Sequence, residues 1–212
     1  PQFLEDAYDG EVSFVDHHLG LLLRAVQRRN ETEHTLIVFT SDHGEALFEH
    51  NLALGHDRLY GEVMSVPLVV AGPGTHGGRL IRQLTRTVDL YPTIVELVGG
   101  LPPSGLRGVS RAGLIQGTDE ATSPDMALAV GQNITAIRIG GKKLIRLGGK
   151  HALYDLETDP GELRDIAGTH PELVHEMDRE MKRYHAADLY MEASPEVDED
   201  QRRTLRTLGY IE

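Results

Sequence analysis

An aspartate and a histidine stand side by side in Thr40-Ser41-Asp42-His43-Gly44-Glu45, directly after the apolar run Thr35-Leu36-Ile37-Val38-Phe39. One hard carboxylate oxygen beside one borderline imidazole nitrogen makes a donor pair suited to a divalent cation. Gly44 lets the backbone turn sharply or approach a ligand closely. Thirteen positions after His43 comes His56, within Gly55-His56-Asp57-Arg58-Leu59-Tyr60-Gly61-Glu62. Imidazole, with an unperturbed pKa of about 6.5, changes its charge near neutrality. The dipeptide alone is open to a second reading, in which Asp42 caps the following helix and His43 is a surface residue. His17-His18 is a poor ligand pair, because adjacent positions on a helix point about 100° apart.

The elements that must carry these residues follow from periodicity. Residues 4–29 hold apolar positions at helical spacing (Val12, Val15, Leu19, Leu22, Leu23, Val26), and the run 35–39 reads as a strand. Asp42 and His43 thus sit at a strand's carboxyl end, where open α/β sheets collect their ligands. Residues 45–63 read as loop with a short helix. A second strand spans Pro67 to Ala71 and is closed by Gly72-Pro73-Gly74. Asp89 reads as the N-cap of a helix from Pro92 to Val98, stopped by Gly99-Gly100. Alternating strands and helices imply a mainly parallel sheet flanked by helices. After about Thr122 the pattern changes to short strands at 127–130, 135–139, 143–147 and 153–156, with Gly140-Gly141 and Gly148-Gly149 as turns. A helix opened by Pro171 follows, running to about Tyr184. The expected organisation is an α/β core over 1–121, a small antiparallel sheet with a helix over 122–190, and an acidic, polar tail over 191–212.

In this order, the pieces resemble the C-terminal part of a sulfatase of the alkaline phosphatase superfamily, in its formylglycine-dependent family. The resemblance is carried by Thr40 to Glu45, by Leu59-Tyr60-Gly61-Glu62 with Val66-Pro67-Leu68, and by Val88-Asp89-Leu90-Tyr91-Pro92-Thr93-Ile94. It continues in Leu153-Tyr154-Asp155-Leu156 with Asp159-Pro160-Gly161-Glu162, and in the terminal Leu205 to Tyr210. Near the start, Tyr8 to Leu19 is similar to the family's helix before the Asp-His strand. Gly61 stands where the family often has Glu, and Ser65 where it often has Arg; neither touches the metal pair. The resemblance implies an alkaline-phosphatase-like α/β fold, of which this chain holds the C-terminal portion. It also implies that Asp42 and His43 are metal ligands and that His56 is the catalytic, substrate-binding residue. The implied cofactor is a divalent cation, with calcium first and manganese, magnesium or zinc open. The imidazole makes manganese or zinc less improbable than in Asp-Asn members. His50 resembles a structural feature of the family's loop.

The family's nucleophile is a formylglycine made from Cys or Ser in Cys/Ser-x-Pro-x-Arg. This chain has no cysteine, and neither Ser194-Pro195 nor Ser104-Gly105-Leu106-Arg107 has that spacing. The expectation is therefore a segment holding about half of an active site, partnered by an N-terminal half of the same protein and without turnover alone. Its substrate would be a sulfate ester of a small molecule or glycan. A phosphonate monoester or phosphodiester hydrolase of the same superfamily is the alternative enzyme, and a non-catalytic binding module the alternative of another class. A net charge of −12 over 212 residues disfavours nonspecific nucleic-acid binding. It leaves room for an anionic substrate, since a cation and local charges set the potential in a cleft. No apolar run approaches the roughly 18–20 residues of a membrane span.

Overall fold

A computed structural model describes residues 2–51, 55, 56, 58–118, 126–189, 199 and 203. Helix α1 (Gln2–Arg28) leads through a 3-10 turn to strand β1 (Ile37–Thr40). The site loop contains a 3-10 turn at Glu49–Asn51 and the short α2 (Gly61–Met64), and then β2 (Leu68–Ala71) returns beside β1. Helices α3 (Leu90–Leu97) and α4 (Ala112–Gln116) follow. Strands β3 (Met126–Val130), β4 (Ile134–Ile139), β5 (Lys142–Leu147) and β6 (Lys150–Asp155) form the second sheet, and α5 (Pro171–Leu189) closes the described fold. The residues around Thr122 and the tail, including the Leu205 to Tyr210 motif, lie outside the described residues, apart from Glu199 and Arg203.

The second sheet is an antiparallel meander, β3-β4-β5-β6. Its turns need glycine: Gly140, Gly148 and Gly149 all have positive φ. Side chains alternate across it. Ile137, Leu144 and Leu153 face Met177 and Met181 of α5, all buried. The opposite face carries Ile134, Ala136, Ile145 and Tyr154, and on it packs Leu59 from the site loop, with Tyr60 beside it. The loop bearing His56 is therefore anchored in the core of a sheet more than 70 positions away.

Both sheets pair antiparallel, β1–β2 included, with Ile37 opposite Ala71 and Thr40 opposite Leu68. Strand–helix alternation implied parallel neighbours. The reason for the difference is the connection: a parallel return needs a crossover, usually a helix, laid across the sheet face. Among the described residues of 41–67 the only α-helix is the four-residue α2, and that turn is tied through Glu162 to Lys143 of the second sheet.

Asp89 is also not a simple cap. It is the last residue of a 3-10 turn at Thr87–Asp89, has αR backbone, and makes no side-chain cap bond to α3. Its fully buried carboxylate instead accepts from the Arg86 guanidinium at 2.7 Å, the Val109 amide at 2.9 Å and the Arg111 guanidinium at 3.1 Å. One carboxylate thus ties the start of α3 to the segment that leads into α4.

Candidate functional site

Strand β1 ends at Thr40, and the chain turns immediately. The Ser41 hydroxyl donates to the His43 carbonyl at 2.7 Å, and the His43 amide donates back to Asp42 Oδ1 at 3.0 Å. That amide bond holds the exposed Asp42 carboxyl below its ordinary pKa, so it is anionic at neutral pH. His43 Nδ1 lies 2.8 Å from the Gly44 carbonyl. A carbonyl only accepts, so Nδ1 carries a proton, and in the neutral ring Nε2 is the nitrogen with a lone pair. Nε2 is 3.9 Å from Asp42 Oδ2. Two metal–ligand bonds of about 2.1–2.3 Å span such a separation. The donor chemistry of Asp42 and His43 therefore fits a divalent cation.

Gly44 is a point of close backbone approach. Its amide donates to Val63 O at 2.7 Å, and a Cβ on it would lie 2.0 Å from Glu62 O. The loop is pinched again where Ala46 bridges to Gly55, the Ala46 amide donating at 3.0 Å. This pinch delivers His56 to His43: their rings stack at 4.2 Å, only 24° from parallel. His56 Nδ1 lies 3.7 Å from Glu45 Oε2. His43, Glu45 and His56 each offer a ligand atom within 4.8 Å of the others.

Asp42, His43 and His56 thus occupy one neighbourhood at the carboxyl end of β1. Glu45 joins them, and sequence reasoning gave it no role. It was visible in the Thr-Ser-Asp-His-Gly-Glu run, but its pairing with His56 depends on the Ala46–Gly55 closure. His50 points elsewhere. Its largely buried ring stacks on Tyr60 at 3.7 Å, and its Nε2 lies 3.5 Å from Glu62 Oε1. Tyr60 in turn reaches the Tyr154 hydroxyl at 3.5 Å, and burial followed by that contact pushes the Tyr154 pKa up. His50 is a packing residue of the loop. Asp57 lies outside the described residues.

An α/β chain that presents Asp-His at a strand end, with a second histidine folded over it, belongs structurally with alkaline-phosphatase-like hydrolases. Residues 4–100 match the family model described as Sulfatase. Arylsulfatase K of Rattus norvegicus is 30% identical over 186 residues, covering 79% of this chain and 32% of the relative. Among solved structures, a 2-O GAG sulfatase superposes with a TM-score of 0.66 at 26% identity, over 80% of this chain and 40% of that one. The phosphonate monoester hydrolase of Agrobacterium radiobacter gives 0.70 at 26% identity, over 88% of this chain and 42% of that one. Together these matches support a sulfatase-family segment. It spans about a third of the length of the curated relatives it matches.

Proposed function

We propose that this chain supplies the Asp-His half of the metal site and a substrate-contacting histidine to a sulfuric ester hydrolase. The observation that carries the reading is the convergence of Asp42, His43 and His56 at the end of β1 in a sulfatase-family chain. Asp42 and His43 Nε2 would hold the cation, which when bound neutralises the oxygens of the sulfate group. The Gly44 carbonyl fixes the His43 tautomer that leaves Nε2 free. His56 stands over His43, with the Glu45 carboxylate holding its ring edge. From there it can donate a hydrogen bond to a sulfate oxygen or a proton to the departing alcohol oxygen. The nucleophile, expected as a formylglycine, comes from residues outside this chain, as does the rest of the metal shell. The substrate is a sulfate ester of a small molecule or glycan; the 2-O GAG sulfatase among the neighbours supports a glycan.

The superposition on a phosphonate monoester hydrolase supports a second reading, hydrolysis of phosphonate monoesters by the same groups. The deciding experiment compares an activated aryl sulfate with an aryl phosphonate as substrates of the full-length protein, with and without chelator. Chelator-sensitive sulfate release that exceeds phosphonate hydrolysis is expected. The reverse ranking would establish the second reading, and hydrolysis indifferent to chelator would sink both. The chain alone should turn over neither ester.

A further inference from the structure

The turn that carries Asp42 and His43 is not held by β1 alone. The Gly44 amide donates to Val63 O, Val63 belongs to α2, and α2 begins at Gly61. The Gly61 amide donates to Oε2 of Glu162, 101 positions further along the chain. Glu162 is 2% exposed, and its φ of +54° lies in the left-handed region that a side chain rarely adopts. Its other oxygen, Oε1, pairs at 2.7 Å with the ammonium of Lys143, a β5 residue that is itself buried.

The turn preceding Glu162 has no need of a buried acid. Asp159 already organises it, accepting from the Glu162 amide at 3.1 Å through its carbonyl and from the Leu163 and Arg164 amides through its carboxylate. A surface turn of this kind is satisfied by Asp-Pro-Gly alone. What Glu162 adds is a bridge: one oxygen on the second sheet's lysine, the other on the site loop's amide. Gly61 is shaped to receive it, since a Cβ there would stand 3.1 Å from Oε2.

We infer that Glu162, held by Lys143, is a positioning residue that sets the Asp42–His43 turn from the second sheet, acting through Gly61, Val63 and Gly44. Its catalytic meaning rests on Asp42 and His43 being metal ligands, but the mechanical link is measurable without metal.

Two double variants separate this role from general stabilisation. Glu162→Gln with Lys143→Met removes the buried charge pair and keeps an acceptor for the Gly61 amide. Glu162→Met with Lys143→Met removes both. Amide exchange of this chain, read on peptides covering 42–46 and 61–64, should be about tenfold faster in the Met/Met variant than in the Gln/Met variant. Protection of β4 and β5 should be the same in both. In the full-length protein, Mn2+ affinity should fall about tenfold between the same two variants, following the lost hydrogen bond. Equal exchange at 42–46 would overturn the link. Exchange that separates the variants while Mn2+ affinity stays equal would overturn the positioning role. Failure of the unsubstituted protein to bind Mn2+ would count against the ligand reading instead, and the exchange comparison would still decide the link.

Discussion

Asp42 lies near Nε2 of His43 and His56 stacks on its ring, and the two should fail in different ways. On the proposed roles, Asp42→Ala removes an anionic ligand, so the full-length protein should lose nearly all metal, read by metal content after dialysis. His56→Ala should keep the metal and lower kcat by about 10²–10⁴-fold, the usual range for a positioned acid. An empty site in His56→Ala with a filled one in Asp42→Ala would reverse the assignment. Glu45 separates two arrangements. If it only holds the His56 ring, Glu45→Gln spares metal affinity and lowers kcat. If His43, Glu45 and His56 together take the cation, as their spacing allows, affinity falls instead; the first outcome is expected. At this scale the sequence is informative where chemistry is local: Asp42, His43 and His56 lie on one motif-bearing stretch and were readable there. Glu45 needed the Ala46–Gly55 closure, and Glu162 needed contacts across 101 positions. No periodicity or motif spacing encodes either.

Two elements have identifiable weak points. Gly44 has no room for a side chain, because the added Cβ would meet Glu62 O at 2.0 Å. The atoms it would meet, Glu62 O, Glu62 C and Val63 Cα, are all backbone, so backbone must move. Gly44→Ala should cost about 1–3 kcal/mol, as overpacking does, and displace the Asp42–His43 turn; thermal unfolding and Mn2+ affinity should fall together. The α3 start depends on Asp89. Burial alone would raise its carboxyl, but the Arg86 guanidinium and the Val109 and Arg86 amides outweigh that and hold it below the ordinary 3.8. A folded pKa below the unfolded one contributes stability that is present above pH 3.8 and lost as pH falls through the folded value. Thermal stability should therefore drop on acidification below about pH 4, less so in Asp89→Asn. That variant should already be destabilised at neutral pH by about 3–5 kcal/mol, because Arg111 is left buried without its anion. A pH profile unchanged by the substitution would contradict this. The second sheet was legible for a local reason, since period-two alternation and Gly-Gly turns fix strands and register together. The β1–β2 pairing was not, because its direction is set by how 41–67 is tied to the far sheet.

Across the whole molecule, burial is unevenly shared. Ile137, Leu144, Leu153, Met177 and Met181 give the second sheet a closed core with α5. Around β1 the opposite holds. Helix α1 has no fully buried side chain among those described, and Phe3, Val12, Phe14, Val15 and Leu22 are more than half exposed, as are Val69 of β2 and Val98 after α3. The apolar run 36–39 and the run 68–71 lack alternation, the pattern of strands covered on both faces, yet β2 is mostly exposed. Exposed apolar side chains concentrated on α1, β2 and the end of α3 mark surface that favours association. The chain by itself should therefore bind a hydrophobic dye and sediment with a concentration-dependent coefficient. Replacing Val12, Val15 and Leu22 with lysine should return it to a monomer while leaving amide protection in β4 and β5 unchanged, since α5 rather than α1 covers that sheet. A native chain that sediments as a monomer at all concentrations and binds no dye would show that these surfaces are covered in a way the α1–β2–α3 exposures do not allow.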